Sequence, residues 1–370
     1  MQGDIFMTNR EKEILNLIKQ NPLISQNELA KLLGITRSSV AVHITNLIKK
    51  GYIEGKGYII KEEPYICIFG GANIDITGFP NNKLIMKDSN PGKVSISLGG
   101  VGRNISENLA KLGIDVKLIT AIGDDPYGKK ILDEARKIGI NMNHTFISKE
   151  YNTSTYLSIL DENRDMHTAI AHMDIFNSLT LDFAKSKKHV IDNSKLCILD
   201  TNLPKDIIEY IVTNHRKTNF FLDTVSSKKA EKSKNIIGYF HTIKPNKIEA
   251  EILSGMQINT KKDLQKSAYY FLNKGVKRVF ITLGSEGIYY NDGYNEEHIT
   301  SPTIEVVNAT GAGDAFMAAL AYCHFKNFNI DYSARFALAA SILALSHKNT
   351  INPNMSVNNI KYKMEETNLC

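Results

Sequence analysis

Near the end of the 370-residue chain, Val306-Val307-Asn308-Ala309-Thr310-Gly311-Ala312-Gly313-Asp314-Ala315-Phe316 carries apolar residues into Gly-Ala-Gly, one carboxylate and an apolar helical pattern. Phe316, Ala319, Leu320 and Cys323 recur on one helical face. Glycines let a ligand approach the backbone closely, and a helix start leaves N–H groups unpaired. Those groups and the helix dipole favour a phosphate. Asp314, in the first turn, would stand beside it. An anion hole next to a carboxylate is what phosphoryl transfer to an alcohol needs. The same residues also read as a glycine turn with an acid in a favourable first-turn position.

Four more stretches bear on that choice. Asn73-Ile74-Asp75 follows an apolar strand, where an amide and a carboxylate can hold vicinal sugar hydroxyls; a helix cap or Asx turn is the alternative. Gly99-Gly100-Val101-Gly102-Arg103-Asn104 is a tight glycine turn that would bring Asn104, at a helix start, to a small polar ligand. No Lys-Ser/Thr follows it, so it is not a P-loop, and it lacks dinucleotide-fingerprint spacing. Asn246 and Glu249 are three apart and share the first helical face. They can hold the water shell of a magnesium ion, which takes few protein ligands, or simply form a capping box. Thr282-Leu283-Gly284-Ser285-Glu286-Gly287 ends a strand and offers hydroxyl and backbone donors to nucleotide phosphates, although alone it is an ordinary turn.

The elements that must position these residues alternate. Strands are predicted at 65–69, 116–122, 196–200, 220–223, 241–244 and 279–283, with helical patterns between them and two C-terminal helices at about 313–326 and 331–347. Such βα alternation predicts an α/β fold, a doubly wound and mainly parallel sheet with helices on both faces. Segments at about 84–98 and 155–171 alternate apolar and polar residues without intervening helices, so they predict a small β lid.

Residues 1–60 form a separate unit. Glu11–Gln20 reads as a helix stopped by Asn21-Pro22. Ser25 and Glu28 make a capping box for a helix ending at Gly34, and Thr36 or Ser38 opens a third helix ending at Gly51. Residues 52–60 read as a short hairpin, and 61–64 as a linker to a second domain at 65–370. Helix, helix-turn-helix and hairpin resemble the winged helix-turn-helix domains of bacterial regulators. That resemblance implies operator DNA as a partner. Thr36, Arg37, Ser38, Ser39, His43 and Asn46 would face the major groove, with Lys49, Lys50 and Lys56 facing phosphates. A helical interaction or dimerisation module is the other reading.

Composition sets the limits. The net charge is +6, and residues 1–61, with nine Lys/Arg and five Asp/Glu, carry +4 of it. The four cysteines are scattered, and three lie in apolar runs; they suit core thiols in a reducing compartment and no structural zinc site. Asp4, Arg10 and Glu11 stand where a signal core would be apolar, and Phe336–Leu345 is too short to span a bilayer. A cytoplasmic protein with no membrane contact is expected.

Taken in order, the second domain's motifs resemble the ribokinase-like (PfkB) carbohydrate kinase family: N-x-D after the first strand, GG-x-G-x-N opening a helix, N-x-x-E, T-x-G-x-x-G, then T-G-A-G-D. The resemblance covers about residues 64–365. It implies ATP and Mg2+, with Asp314 as catalytic base and Gly311, Ala312 and Gly313 as anion hole. Asn246 and Glu249 would be the magnesium and phosphate pair, and Thr282, Gly284 and Gly287 the ATP region. Asn73, Asp75, Gly100 and Asn104 would bind sugar, and Asp200 would lie near the sugar–phosphate junction. Residues 88–93, 99–105, 152–157 and 307–311 closely resemble bacterial pseudouridine kinases. The activity implied is transfer of the ATP γ-phosphate to the 5′-hydroxyl of pseudouridine. Ser89, Asn90, Thr153, Ser154 and Asp174 are the candidates for base contacts. A kinase for ribose or another nucleoside, a nucleoside-sensing regulator and a homodimer remain open. Two positions depart from the family. Asn308 replaces a common acid in a region linked to a monovalent cation, which leaves that cation open, and Val101 stands where ribokinases often have Lys.

Overall fold

The computed structural model describes residues 7–53 and 63–369. Contacts divide the chain into two compact units at Pro64/Tyr65.

In the first unit, helices α1 (Asn9–Gln20), α2 (Gln26–Leu33) and α3 (Arg37–Lys49) enclose Ile14, Leu15, Ile18, Leu29, Val40, Ile44 and Leu47. Capping sets the boundaries. Ser25 and Glu28 form the predicted box, and Gly34 ends α2 in the left-handed region. Thr36 caps α3. A second box, Thr8 with Glu11, starts α1 two residues before the predicted position. The hairpin beyond Ile53, with Lys56, and Lys61-Glu62 of the linker lie outside the described residues.

The second unit runs β1 (Ile66–Phe69), β2 (Asn73–Pro80), β3 (Gly92–Gly99), α4 (Val101–Lys111), β4 (Val116–Ile119), β5 (Ala121–Gly123), α5 (Pro126–Lys137), β6 (Phe146–Ser148), β7 (Thr155–Leu160), β8 (Met166–His172), α6 (Leu181–Ser186), α7 (Lys188–Asp192) and β9 (Leu196–Asp200). It continues α8 (Lys205–Asn214), β10 (Phe220–Asp223), α9 (Ser227–Ala230), β11 (Thr242–Ile243), α10 (Lys247–Ser254), α11 (Lys261–Lys274), β12 (Arg278–Thr282), β13 (Ile288–Asn291), β14 (Glu296–Ile299), α12 (Ala312–Phe325), α13 (Ile330–Leu345) and α14 (Val357–Glu366).

The main sheet has the order β14-β13-β12-β11-β10-β9-β1-β4. Strands from β12 to β4 are parallel, and β13 and β14 are antiparallel additions at one edge. Separate apolar clusters cover its two faces, as a doubly wound sheet requires. From β1 the chain moves out to β4, then returns to β9 on the other side of β1. The strand order therefore reverses between β1 and β9, and ligands of such sheets bind beyond the strand ends at that place.

The lid is a four-stranded sheet, β3-β2-β7-β8. One of its two central strands is β2, which sequence patterning read as a strand-end loop. Asn73 and Asp75 are thus lid residues, on a strand that pairs antiparallel with β3 and parallel with β7. Other differences are local. The strand predicted at 116–122 breaks at Thr120 into β4 and β5, and α14 is a third C-terminal helix. Helix α12 is buried on all sides from Ala315 to Cys323, not along one stripe. No helix among the described residues is long and apolar enough to cross a membrane.

Candidate functional site

The carboxyl ends of β1, β9, β10 and β11 bring Gly70-Gly71, Asp200, Asp223 and Lys244 together. Glycine is required here because backbones touch. A Cβ on Gly102 would lie 2.8 Å from the Gly70 carbonyl carbon, and one on Gly100 would lie 2.5 Å from Ala72 Cα. Gly100 also has φ +98°. This contact seats the start of α4 directly on the end of β1. Asp200 closes the switch point: its Oδ2 accepts the Gly71 amide at 2.6 Å and its Oδ1 accepts the Asn202 amide at 2.8 Å. Burial raises the Asp200 carboxyl to about 6 despite these bonds, and Asp223 adds to the rise.

Asp314 lies in the first turn of α12. Its Oδ2 accepts Asn104 Nδ2 at 2.8 Å. Arg103 sets that amide's orientation, because its Nη1 donates to Asn104 Oδ1 at 3.1 Å and leaves the NH2 end for Asp314. Burial raises the Asp314 carboxyl to about 7; Asp223 and Asp200 push the same way, while the Asn104 bond and Lys244 oppose. Asp314 keeps a partial opening to the crevice, and Gly313 is exposed. Gly311 has φ +87°, and a Cβ there would strike the Thr350 carbonyl oxygen at 2.2 Å, so the turn into α12 demands glycine. The amides of Ala312, Gly313 and Asp314 start the helix and have no partner within it.

Lys244 stands at this helix start, its Nζ 3.3 Å from where a Gly313 Cβ would be. It pairs with Asp223 Oδ2 at 3.2 Å. Burial alone would lower the ammonium, but Asp223, Asp314 and Glu249 hold it above its usual value. A cation beside amides unpaired within their helix and a carboxyl raised to about 7 is an arrangement that could hold an anion and take up a proton at its edge. Sequence reading missed Lys244, Asp223 and Arg103. The one signal was Lys244 preceding Pro245-Asn246.

Asn246 and Glu249 form the capping box of α10: Asn246 Oδ1 accepts the Glu249 amide and Glu249 Oε2 accepts the Asn246 amide, each at 2.9 Å. Glu249 Oε2 also accepts Thr224 Oγ1 at 2.6 Å, and Oε1 bonds none of the described residues. No cluster of three His, Cys, Asp or Glu among the described residues could enclose a metal. One oriented carboxylate instead suits an ion that keeps most of its water. Beside this pair, a cavity of about 250 Å3 is lined by Asn246, Lys247, Ile248, Thr282, Leu283, Gly284 and Glu286. Gly284 and Gly287 turn its wall with φ +61° and +93°.

On the lid, Asn73 Nδ2 donates to Asp75 Oδ1 at 2.6 Å. Burial raises the Asp75 carboxyl, against the Asn73 bond and the Arg103 charge. Of the remaining acceptor-side candidates, Ser154 adjoins β2, its carbonyl accepting the Ile74 amide at 2.9 Å. Thr153 is fully buried, its hydroxyl bonded to Asp125 at 2.8 Å and to the Gly123 amide at 2.9 Å, which commits it to holding α5. Ser154 Oγ is buried without a partner. Asn90 uses both ends of its amide on the Ile85 backbone, and Ser89 lies in the same exposed loop. Asp174 is exposed, 3.8 Å from His172. Asn308 Nδ2 donates to the Lys348 carbonyl at 3.0 Å and its Oδ1 accepts the Thr310 amide at 2.9 Å, so it ties the loop before α12 to residues 345–350.

The order of strands, the glycine contacts and the carboxyl at a helix start reproduce one known architecture. The model of the pfkB family of carbohydrate kinases matches residues 63–357. The chain belongs to that family. A winged helix-turn-helix DNA-binding model matches residues 7–54. The chain is 38% identical over 356 residues to the Escherichia coli protein described as uncharacterized sugar kinase YeiI, covering 95% of this chain and 98% of that one. It is 38% identical over 302 residues to E. coli pseudouridine kinase, covering 81% and 96%. A solved structure described as a sugar kinase from Clostridium perfringens superposes with a TM-score of 0.76 at 41% identity, covering 82% of this chain and 96% of that one. This protein is accordingly a sugar or nucleoside kinase of the pfkB family with a ribokinase-like fold and an N-terminal winged helix-turn-helix unit.

In that unit, Arg37, Ser38 and Lys49 are exposed on α3. Ser38 and Ser39 Oγ each lie 2.9 Å from Thr36 Oγ1, which is itself the helix cap. His43 Nδ1 is buried without a partner. Lys50, expected to face phosphates, is instead paired with Glu11 at 2.8 Å, because that buried carboxylate needs a cation.

Proposed function

We propose that the protein transfers the γ-phosphate of ATP to the 5′-hydroxyl of pseudouridine. The observation that carries the reaction type is the Asp314 carboxyl, raised to about 7, bonded to Asn104 and set at the open start of α12 beside Lys244. A base whose pKa lies near the working pH accepts a hydroxyl proton most effectively. The acceptor is argued from the 38% identity to a pseudouridine kinase across nearly its full length. Val101 supports the same reading, since a half-buried apolar side chain at the start of α4 suits a nucleoside better than an anomeric hydroxyl.

In this mechanism Asp75 and Asn73 hold the ribose, and Asn104 holds both the acceptor and Asp314. The cavity at Thr282–Glu286 takes the nucleotide. The amides of residues 312–314 and the Lys244 ammonium stabilise charge on the transferring group. Glu249, with Asn246, would hold water around magnesium, which when bound supplies charge neutralisation across the ATP phosphates. The lid excludes competing water. The test is a panel of pseudouridine, uridine, guanosine, adenosine and ribose with ATP: pseudouridine should lead in kcat/KM, and equal or better turnover of another acceptor refutes the assignment.

Two further readings rest on separate observations. The exposed Arg37 and Lys49 on α3 support operator binding, tested by salt-dependent gel shifts with upstream DNA, with and without pseudouridine. On the lid, Ile96, Ile76, Leu157 and Ile170 align across all four strands, and three of them are exposed. Such an apolar row supports a homodimer through the lid. Sedimentation that gives a monomer at micromolar concentration removes that reading.

A further inference from the structure

Strand β10 ends at Asp223, and two residues later Val225 has φ +57°. A β-branched residue is strongly disfavoured there. The Ser226 amide donates to the Thr224 carbonyl at 2.5 Å, so a three-residue turn of the rare, strained hand closes around Val225. Strain of this kind persists where the surroundings over-determine it, and it gathers at functional sites. The surroundings here do so. Thr201 Oγ1 donates to the Thr224 carbonyl at 2.6 Å, and the Val225 amide donates to Asp223 Oδ1 at 2.9 Å.

The turn and the residue before it reach the phosphate side of the crevice through Asp223 and Thr224. Asp223 holds Lys244 at 3.2 Å. Thr224, 1% exposed, donates its hydroxyl to Glu249 Oε2 at 2.6 Å. Anchoring α10 does not require that bond, since the Asn246–Glu249 box already closes the helix start. What the bond adds is direction: two donors converge on Oε2, which stops the carboxylate from rotating and leaves Oε1 as its remaining acceptor.

We infer that Thr224 is a positioning residue, whose hydroxyl, held by the strained turn, aims Glu249 at the water shell of the metal–nucleotide complex. The inference rests on the proposed role of Glu249. Groups that orient metal-binding carboxylates act on affinity without touching the ion.

The test uses the full chain with a non-hydrolysable ATP analogue and Mn2+ as probe, with bound Mn2+ read by electron paramagnetic resonance. Thr224→Val keeps the shape and removes the hydroxyl, Thr224→Ser restores it, and Glu249→Gln is the reference for loss of the carboxylate. Thr224→Val should weaken Mn2+ binding about tenfold, with Thr224→Ser back within about twofold of wild type. A purely structural role would lower the melting temperature of the ligand-free protein and leave Mn2+ affinity in place. If Glu249→Gln weakens Mn2+ binding and Thr224→Val does not, the inference is wrong and the reading of Glu249 stands. If Glu249→Gln also binds Mn2+ as wild type does, the reading of Glu249 itself has failed. Should Thr224→Val not fold, Thr224→Ala supplies the same comparison.

Discussion

Replacing Asp314 by Asn separates catalysis from stability in a way the structure makes quantitative. In the folded protein the carboxyl titrates at about 7, against 3.8 in the unfolded chain. Between those values the folded state holds a proton that the unfolded state has released. The stabilisation linked to that proton is complete below about pH 4 and is lost as pH rises through about 7. Three pH units at about 1.4 kcal/mol each set a ceiling of about 4 kcal/mol. Water in the crevice screens the partly open carboxylate, and about 2 kcal/mol is the expected size. The kinase unit spans Tyr65–Cys370. At ~2.1 cal/mol/K per residue its unfolding entropy is about 0.6 kcal/mol/K, so 2 kcal/mol corresponds to about 3 °C. Asn cannot ionise, yet its side-chain oxygen can still accept from Asn104. Calorimetry should therefore find the kinase transition of Asp314→Asn about 3 °C above wild type at pH 8, with the gap closing at pH 4. Turnover should be lost while ATP binding persists. A gap equal at both pH values, or near-normal turnover in the variant, refutes the assignment of Asp314 as a buried base.

Other expectations follow from the same geometry. In wild type, kcat should rise with pH through about 7, because only ionised Asp314 accepts a proton, and a profile flat from pH 6 to 8 contradicts this. Lys244→Met removes the cation at the anion hole and should lower kcat by about 10^2–10^3-fold with little change in acceptor KM, read in steady-state assays. Gly102→Ala forces a methyl against the Gly70–Gly71 backbone. It should cost about 1–3 kcal/mol by denaturant unfolding and raise acceptor KM. Asn308 supplies an N–H to the Lys348 carbonyl, which a carboxylate cannot do. Wild type should turn over equally in potassium, sodium or Tris salts, and Asn308→Asp should be the variant that gains from an added monovalent cation.

Legibility in the sequence followed the physics of each feature. The placement of Gly311 and Asp314 at the start of α12, and of Gly100 and Asn104 at the start of α4, was readable because helix starts and close backbone contacts accept few residue types. Caps announced α2 and α3 for the same reason. Strand β2 was hidden: Asn73, Asp75, Gly78 and Pro80 lower its β propensity, although Ile74 and Ile76 keep the period of two. Helix α14 buries only Ile360 and Met364, too few for a pattern. The Asp223–Lys244 and Thr224–Glu249 contacts depend on β10 lying beside β11, and strand order is a tertiary fact that no local window contains. The bonds that Thr153 makes to a helix anchor and Asn90 makes across its loop depend on contacts that residue type alone does not reveal.

The joint where Gly100 and Gly102 rest on residues 70–72 contains no side chains on its contact surfaces. Its dimensions are those of the peptide unit itself, so substitution can only break it and cannot tune it. Any attempt to widen the range of acceptors must therefore work around it, from the Val101 side chain or from the opposite wall. Saturation libraries placed at Val101, on β2 and β7 and at residues 93–98 of β3 would vary the grip on the acceptor, while positions 70–71, 100 and 102 would return mostly inactive protein.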